Sequence, residues 1–230
     1  MMLRLAISSL LASAAAEAAF TIILPGNTES SGWDNLRSTN PYWSANGYTT
    51  AYPGAAAWPA PISSNAAGSQ GSAVFMKTSG NGYFASQSTY DGGGAGIYSV
   101  FDTAPLGNIA TVVFQLDTGT AVGVLPRLSY NGGTQALPAN YFAQGDGEYA
   151  TFNFQTGQSF PTQNRAWQWD LTGLGVSSYE ITWGSVANNH LTQYEINLST
   201  GDSFVQVVPE PSAAMLGALA SIALLRRRRH

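Results

Sequence analysis

Hydrophobic and polar positions alternate along the chain from about residue 72 onward. In Thr111–Leu116 the side chains of Val112, Phe114 and Leu116 fall on one face of an extended segment. Four later segments repeat this pattern, with apolar positions at Ala150, Phe152 and Phe154, then Trp167, Trp169 and Leu171, then Tyr179, Ile181 and Trp183, then Tyr194, Ile196 and Leu198. A period of two is that of a β-strand with one buried face, so each segment is predicted to be a strand.

Turn-forming residues separate these predicted strands. The turns are Tyr130-Asn131-Gly132-Gly133, Gly145-Asp146-Gly147 and Thr200-Gly201-Asp202, and a last strand is predicted over Ser203–Val208. Roughly ten to twelve short strands at this spacing are typical of an all-β, antiparallel two-sheet fold. They favour a jelly-roll-like β-sandwich over a seven-stranded immunoglobulin-like domain.

The segment before this region differs in composition and periodicity. Phe20–Leu24 is apolar enough for a first strand, which Pro25-Gly26-Asn27 would end. Residues 25–71 are rich in Gly, Pro, Asn, Ser and aromatic side chains and show little periodicity. Because so long an irregular stretch is unusual in a compact domain, we expect part of it to form edge strands or turns on the sheets.

The N-terminus has the pattern of a cleaved export signal. Arg4 precedes an apolar run over Leu5–Ala16, and small residues follow it, including two A-x-A cleavage patterns. Residues 1–19 are therefore predicted to be a signal peptide with a helical apolar part. The Sec export machinery and signal peptidase would be its partners.

The C-terminus combines a stiff segment, an apolar run and a basic cluster. Pro209 and Pro211 have fixed φ angles and keep the chain around Glu210 extended. The following run, Ser212–Leu225, carries no charge and predicts a helix of about 21 Å, short of the roughly 30 Å hydrocarbon core. Arg226, Arg227, Arg228 and Arg229 then form a basic stop expected on the cytoplasmic side of a membrane.

These three parts, in this order, resemble the PEP-CTERM sorting signal of Gram-negative bacteria. The resemblance covers only residues 207–230 and rests on Pro209-Glu210-Pro211, the apolar run and the arginine cluster. It implies an exported protein that passes through the inner membrane, where an exosortase recognises the motif, cuts near it and removes the helix. Such proteins reach the outer envelope, the cell surface or an exopolysaccharide matrix. The domain between the two signals, residues 20–206, is the predicted β-sandwich.

Composition and charge narrow the partners of that domain. The chain has no cysteine, which excludes disulfides, cysteine-bound zinc and a thiol nucleophile. Residues 20–208 carry four basic against eleven acidic residues, a net charge of −7. Such a surface repels phosphate backbones, so nucleic acid is not expected as a partner.

Residues suited to catalysis are sparse. His190 is the only histidine of residues 20–208 and lies in a polar segment, where a solvated loop histidine is expected. Asp146 and Glu148 share a glycine-rich segment and are read as turn residues rather than as a catalytic pair. We therefore expect no enzyme, no cofactor and no assignable metal ligands. A structural calcium ion stays open, with candidates at Asp91, Asp102, Asp117, Asp146 and Asp202.

Aromatic residues of the irregular region are the candidate ligand contacts. Trp33, Trp43 and Trp58 could stack on sugar rings if they are exposed; the alternative is that such rings pack in the core. Three functions remain at this point: a non-enzymatic surface or matrix protein, which we prefer, a carbohydrate-binding module, and a divergent polysaccharide-acting enzyme. The enzyme would need two carboxylates about 5–10 Å apart in a groove.

Overall fold

The computed structural model describes residues 21–46, 57–85, 88–91, 94–119, 121–153, 156–186 and 193–209. The predicted signal peptide, the C-terminal helix and the arginine cluster lie outside these ranges. Within them the chain is mostly β, with antiparallel pairing between all neighbouring strands, as the alternation predicts. A single helical turn, α1 (Tyr42–Ala45), interrupts the N-terminal part. No helix among the described residues has the length and apolar character needed to cross a membrane.

The described strands form two sheets. Sheet A contains β1 (Thr28–Trp33), β4 (Tyr83–Phe84), β5 (Thr89–Tyr90), β7 (Thr111–Thr118), β10 (Tyr141–Asn153), β11 (Gln158–Asp170) and β13 (Gln193–Gly201), in the order β10-β11-β7-β13-β5-β4 with β1 also paired to β13. Sheet B contains β2 (Ile62–Ser63), β3 (Val74–Gly80), β6 (Gly96–Asp102), β8 (Val124–Tyr130), β9 (Leu137–Pro138) and β12 (Tyr179–Gly184), in the order β2-β3-β6-β12-β8-β9. From β6 onward the chain passes repeatedly between the sheets, staying in sheet B for β8 and β9 and in sheet A for β10 and β11, so distant segments become neighbours.

One apolar core joins the sheets. Val112, Phe114 and Leu116 of β7 are buried in it, which confirms the face predicted from their alternation. The Phe114 ring lies 4.8 Å from that of Trp183 on β12, so the inner faces of both sheets meet there. Large aromatic side chains are prominent among its buried residues, and burial of their apolar surface stabilises the fold.

A smaller cluster lies on the opposite face of sheet A. Val113, Ala143 and Ala166 point away from the central core and pack with Val208. We call this face the outer face of sheet A. Its burial explains why β7 is covered on both sides although it lies in a two-sheet fold.

Three predictions about local structure are wrong. The described part of the predicted strand Phe20–Leu24 is not in a strand, and the first strand is the more polar Thr28–Trp33, which gains its backbone partners from β13. Ser203–Val208 is not a strand either, because β13 ends at Gly201 and the chain then packs on the outer face. Gly145-Asp146-Gly147 is not a turn but lies inside β10, where the register shifts between Asp146 and Ala150 as in a β-bulge.

The turn predicted at Asn131-Gly132 is confirmed. It follows β8, and both residues have positive φ angles of 52° and 68°. Asn and Gly are the residues that adopt this conformation most readily, so the dipeptide itself specifies the turn.

Candidate functional site

The segment that leads into the predicted sorting motif is bound to the outer face of sheet A. We call this segment, residues 202–208, the C-terminal strap. It is held mainly by Gln168 of β11, a side chain whose neighbours Trp167 and Trp169 face the central core. Gln168 therefore points to the outer face, where it is completely buried.

The Gln168 amide uses both of its polar ends. Its Nε2 donates to the carbonyl of Val205 at 2.7 Å and to the Thr111 hydroxyl at 3.1 Å. Its Oε1 accepts from the backbone N–H groups of Val207 and Val208 at 3.0 and 3.1 Å. Because a buried polar group without partners is costly, the three bonds to Val205, Val207 and Val208 tie the position of the strap to β11, and the fourth ties Gln168 to Thr111 of β7.

Apolar and aromatic contacts complete the attachment of the strap to the outer face. Val208 is 1% exposed among Val113, Ala143 and Ala166, and the ring of Phe204 stacks on that of Tyr141 at 6.0 Å. These contacts bury the last residue before the motif.

The N-terminal end of the domain lies against the same strap. Ile22 and Leu24 pack on the outer cluster, and both the backbone N–H and the side-chain amide of Asn27 donate to the Asp202 carboxylate, at 3.3 and 2.8 Å. The two segments that adjoin the predicted signals are thus fixed together on one face.

Pro209 is the last residue of the chain that the structure describes. Val208 is buried, whereas Pro209 is exposed. The remaining predicted motif residues, Glu210 and Pro211, and the stop residues Arg226, Arg227, Arg228 and Arg229 lie outside the described residues. The structure thus places the first residue of the motif directly at the surface, one peptide bond from the strap.

The glycan contacts predicted at Trp33 and Trp58 are wrong. Trp33 is 0% exposed and donates its indole N–H to the carbonyl of Ile62 at 3.0 Å. Trp58 is 1% exposed and makes edge contacts with Phe75 and Phe84, with 5.2 Å between the ring centres in each case. A ring must present a free face to stack on a sugar, and neither does, because both fill the core. The Trp43 side chain lies outside the described residues.

The predicted calcium candidates are dispersed. Asp102 accepts from the Ser72 hydroxyl, Asp202 from Asn27, and Asp91 from Tyr98, while Asp146 is exposed on β10. Within the described ranges no three side chains of His, Asp or Glu come together in a way that could hold a metal ion. His190 lies outside those ranges.

A buried charged group that sequence reasoning missed lies at one end of the core. Lys77 and Asp91 are both fully buried, and the Tyr98 hydroxyl donates to Asp91 Oδ1 at 2.5 Å. Burial raises the pKa of Asp91 to about 6 and lowers the pKa of Lys77 to about 8, because each charge loses its hydration. The signal was present in β3, where Lys77 occupies the inward position two residues after Phe75.

A cleft lies at the ends of β6, β8 and β12. Its volume is about 250 Å³, and Asp102, Tyr179 and Glu180 contribute to its lining. It is wide and open, and Asp102 is already engaged with Ser72 and with the backbone N–H of Ala104 at 2.9 Å. These features do not favour this cleft as a site for bond hydrolysis.

Comparison with protein-family models, with curated proteins and with solved structures finds no match to this chain. Its function is therefore inferred from its residues and their geometry.

Proposed function

We propose that this chain is an exported, non-enzymatic protein of the cell surface or of an exopolysaccharide matrix, sorted by an exosortase-type system. The observation that carries the proposal is the junction at Val208 and Pro209. Val208 is buried and hydrogen-bonded, and the motif that resembles a sorting signal begins at the next residue, Pro209, which is exposed and is the last described residue.

This junction suits a cut that leaves the domain intact. The described bonds between the strap and sheet A involve Val205, Val207 and Val208, which all precede the predicted motif. Removal of the residues after Pro209-Glu210-Pro211 would therefore break none of these described bonds. The apolar run and the arginines would serve only until processing, during the passage through the inner membrane.

The strand order supports a jelly-roll sandwich as the exported cargo. Eight strands form two sets of four, in the order β5-β13-β7-β11 in sheet A and β6-β12-β8-β9 in sheet B, and successive strands of the eight change sheet except at the β8–β9 pair. This is the arrangement in which a chain folds into two four-stranded sheets with first and last strands adjacent. The strands β1 to β4 and β10 extend this unit at its edges.

The two alternatives lose support. A carbohydrate-binding module that uses Trp33 and Trp58 would need exposed rings, and both are buried. A polysaccharide-acting enzyme would need paired carboxylates in a groove, whereas Asp102 in the open cleft is committed to Ser72.

The proposal is tested in an isogenic pair of Gram-negative strains, with and without an exosortase. The full chain should be shortened and reach the surface or medium only in the exosortase strain. Replacing both motif prolines, Pro209→Ala with Pro211→Ala, should leave it unprocessed in the membrane fraction. The matched change at two exposed prolines of the domain, Pro25→Ala with Pro138→Ala, should be processed normally. Equal processing in both strains would contradict the proposal.

A further inference from the structure

Three polar residues form a row across the outer face of sheet A. Asn164 of β11 is the cross-strand partner of Asp117 of β7, and Asp117 is the partner of Glu195 of β13. Directly opposed residues of antiparallel strands have Cβ atoms about 4.5–5.5 Å apart, so their side-chain oxygens are neighbours. The row lies on the same face as Val113 and Gln168, nearer the other end of the strands.

Two oxygens in this row are buried without a partner. Asp117 is 1% and Asn164 is 2% exposed, and within the part of the chain that the structure describes neither Asp117 Oδ1 nor Asn164 Oδ1 has a hydrogen-bond donor. A buried acceptor left unsatisfied destabilises the fold, and more so if it is charged. Two such acceptors on neighbouring strands point to a ligand that both can bind.

The neighbouring donors are already used. The backbone N–H of Glu148 donates to Asp117 Oδ2 at 2.8 Å, which leaves Oδ1. The Thr162 hydroxyl donates to the carbonyl of Tyr149 at 3.0 Å and accepts from its N–H at 3.1 Å. Burial raises the pKa of Asp117, and the adjacent Thr162 hydroxyl and Glu148 N–H lower it in part.

The bulge of β10 covers the row. A Cβ on Gly147 would lie 2.6 Å from Asp117 Oδ2 and 2.7 Å from Oδ1, so only glycine lets the backbone pass this close. Gly145, opposite Asn164, likewise adds no side chain. The register shift after Asp146 thus covers the Asp117 carboxylate with backbone atoms of β10.

The charged groups around this row are mostly negative. Tyr149 donates its hydroxyl to Glu195 Oε2 at 2.9 Å, and Asn197 donates to Glu195 Oε1 at 2.6 Å. Burial raises the pKa of Tyr149, and the carboxylates of Glu195, Glu148 and Asp117 raise it further. The nearby cation, Arg165, offsets part of this charge, because its guanidinium is hydrogen-bonded to Gln144, Thr118 and Gln163 and also attracts the Asp117 carboxylate.

We propose that this row is a calcium site, with Asp117 Oδ1 and Asn164 Oδ1 as ligands and Glu195 as a further source of negative charge. Ca²⁺ takes six to eight oxygen ligands in flexible geometry, so backbone carbonyls and water complete its shell. Mg²⁺ demands a compact octahedron and gives up its water reluctantly, so the site should prefer Ca²⁺. With few charged ligands, the dissociation constant should lie at roughly 0.1–1 mM, the range of extracellular calcium modules. The proposal is independent of the sorting reaction.

One competing arrangement needs no ion. If the Asn164 amide is turned by 180°, its Nδ2 faces Asp117 and could donate to Oδ1. This arrangement and a calcium site differ in the wild type, because only a calcium site gives a Tm that rises with CaCl₂. Asn164→Asp places a second carboxylate beside Asp117, which should lower the Tm without calcium and strengthen calcium binding.

The experiment measures thermal unfolding and titration calorimetry of the purified full chain after removal of divalent ions. CaCl₂ should raise the Tm of the wild type and MgCl₂ should raise it less. Asn164→Asp should have a lower Tm than the wild type without calcium, and should bind Ca²⁺ about tenfold more tightly, since ligand charge sets calcium affinity. Asp117→Asn should lose the calcium response, while the matched change at exposed Asp146→Asn should keep it.

Several results would overturn the calcium proposal. A wild type whose Tm does not respond to CaCl₂ would overturn the proposal, as would an Asn164→Asp loss that calcium does not reverse. An unchanged calcium response in Asp117→Asn would also overturn it. If Asp117→Asn does not fold, as judged by near-ultraviolet circular dichroism, Glu195→Gln takes its place, because it removes the charge and keeps an acceptor for Tyr149. It should weaken Ca²⁺ binding severalfold, and unchanged binding would again count against the site.

Discussion

The side-chain oxygen of Gln168 accepts a hydrogen bond from the backbone N–H of Val208 at 3.1 Å. This bond joins β11 of sheet A to the last residue before Pro209. It fixes the residue before the predicted sorting motif to sheet A, because the strap cannot leave the outer face without leaving Gln168 and its partners unpaired.

Replacing Gln168 with leucine should release the strap. Gln168→Leu leaves the Val205 carbonyl and the N–H groups of Val207 and Val208 without their partner, and we expect a loss of about 2–3 kcal/mol in the free energy of unfolding. Hydrogen exchange over residues 202–208 should accelerate more than exchange in β7. Urea unfolding and hydrogen exchange with mass spectrometry measure both effects.

Gln158→Leu is the matched control, because Gln158 begins the same strand and is exposed. It should change stability by less than about 0.5 kcal/mol. Unaltered exchange over the strap in Gln168→Leu would show that the apolar contacts of Val208 hold it without the amide.

The sequence pattern predicted the central strands of the sheets better than the segments next to them. The alternation of Val112, Phe114 and Leu116 reports directly which face is buried, and it is correct. The strap was predicted to be a strand because Val205, Val207 and Val208 favour extended backbone. Whether an extended segment joins a ladder or binds a side chain such as Gln168 depends on residues far away along the chain.

Shortening Trp33 should destabilise the fold and not merely remove a surface contact. Trp33→Ala removes a fully buried ring that donates to the Ile62 carbonyl, and large-to-small changes of this kind cost about 3–5 kcal/mol. Guanidinium unfolding followed by circular dichroism measures the loss.

The control for Trp33→Ala is Leu125→Ala, at a side chain that is 57% exposed. It should cost less than about 0.5 kcal/mol. If Trp33→Ala cost as little as Leu125→Ala, the core position of the ring would be contradicted.

Stability should depend on pH through Asp91. Its pKa is raised from 3.8 to about 6 by burial, so the folded state binds its proton more tightly than the unfolded state does. The contribution of Asp91 therefore favours folding most below about pH 4 and declines as the pH rises to about 6, by on the order of 3 kcal/mol. Burial also raises the pKa values of Glu29 and Asp117, which add changes of the same sign.

Asp91→Asn should remove the Asp91 share of this slope, because asparagine does not titrate but can still accept from Tyr98. Urea unfolding at several pH values between 4 and 7 gives the slopes. Asp34→Asn, at an exposed position, should retain the wild-type slope. Equal slopes for the wild type and Asp91→Asn would mean that Asp91 titrates alike in the folded and unfolded states.

Gly82 should not tolerate a side chain. A Cβ at this position would lie 1.7 Å from the Tyr98 hydroxyl and 2.6 Å from Asp91 Oδ1, so Gly82→Ala must displace the buried polar group. We expect a loss of about 2–3 kcal/mol, measured by urea unfolding. Gly107→Ala has no atom within 4 Å of its new Cβ and should be nearly neutral. Similar stabilities of the two variants would contradict the close packing around Tyr98.

The candidate sites were less predictable than the fold. Glycines in Gly145-Asp146-Gly147 indicated a turn, but their role is to let the β10 backbone lie against Asp117. Asp117 and Asn164 are 47 residues apart and become neighbours only through the pairing of β7 with β11. No local pattern encodes such a contact, whereas the predicted sorting motif is contiguous and its resemblance rests on local sequence alone.

The C-terminal mass of the surface-located protein tests the central claim most directly. The chain should be expressed in full in the exosortase strain, recovered from the cell surface or medium, and analysed by intact-protein mass spectrometry. We predict a new C-terminus close to Pro209-Glu210-Pro211, with the strap residues through Val208 retained and the arginine cluster absent. Surface-located protein that still ends at His230, in strains with and without the exosortase alike, would contradict the account.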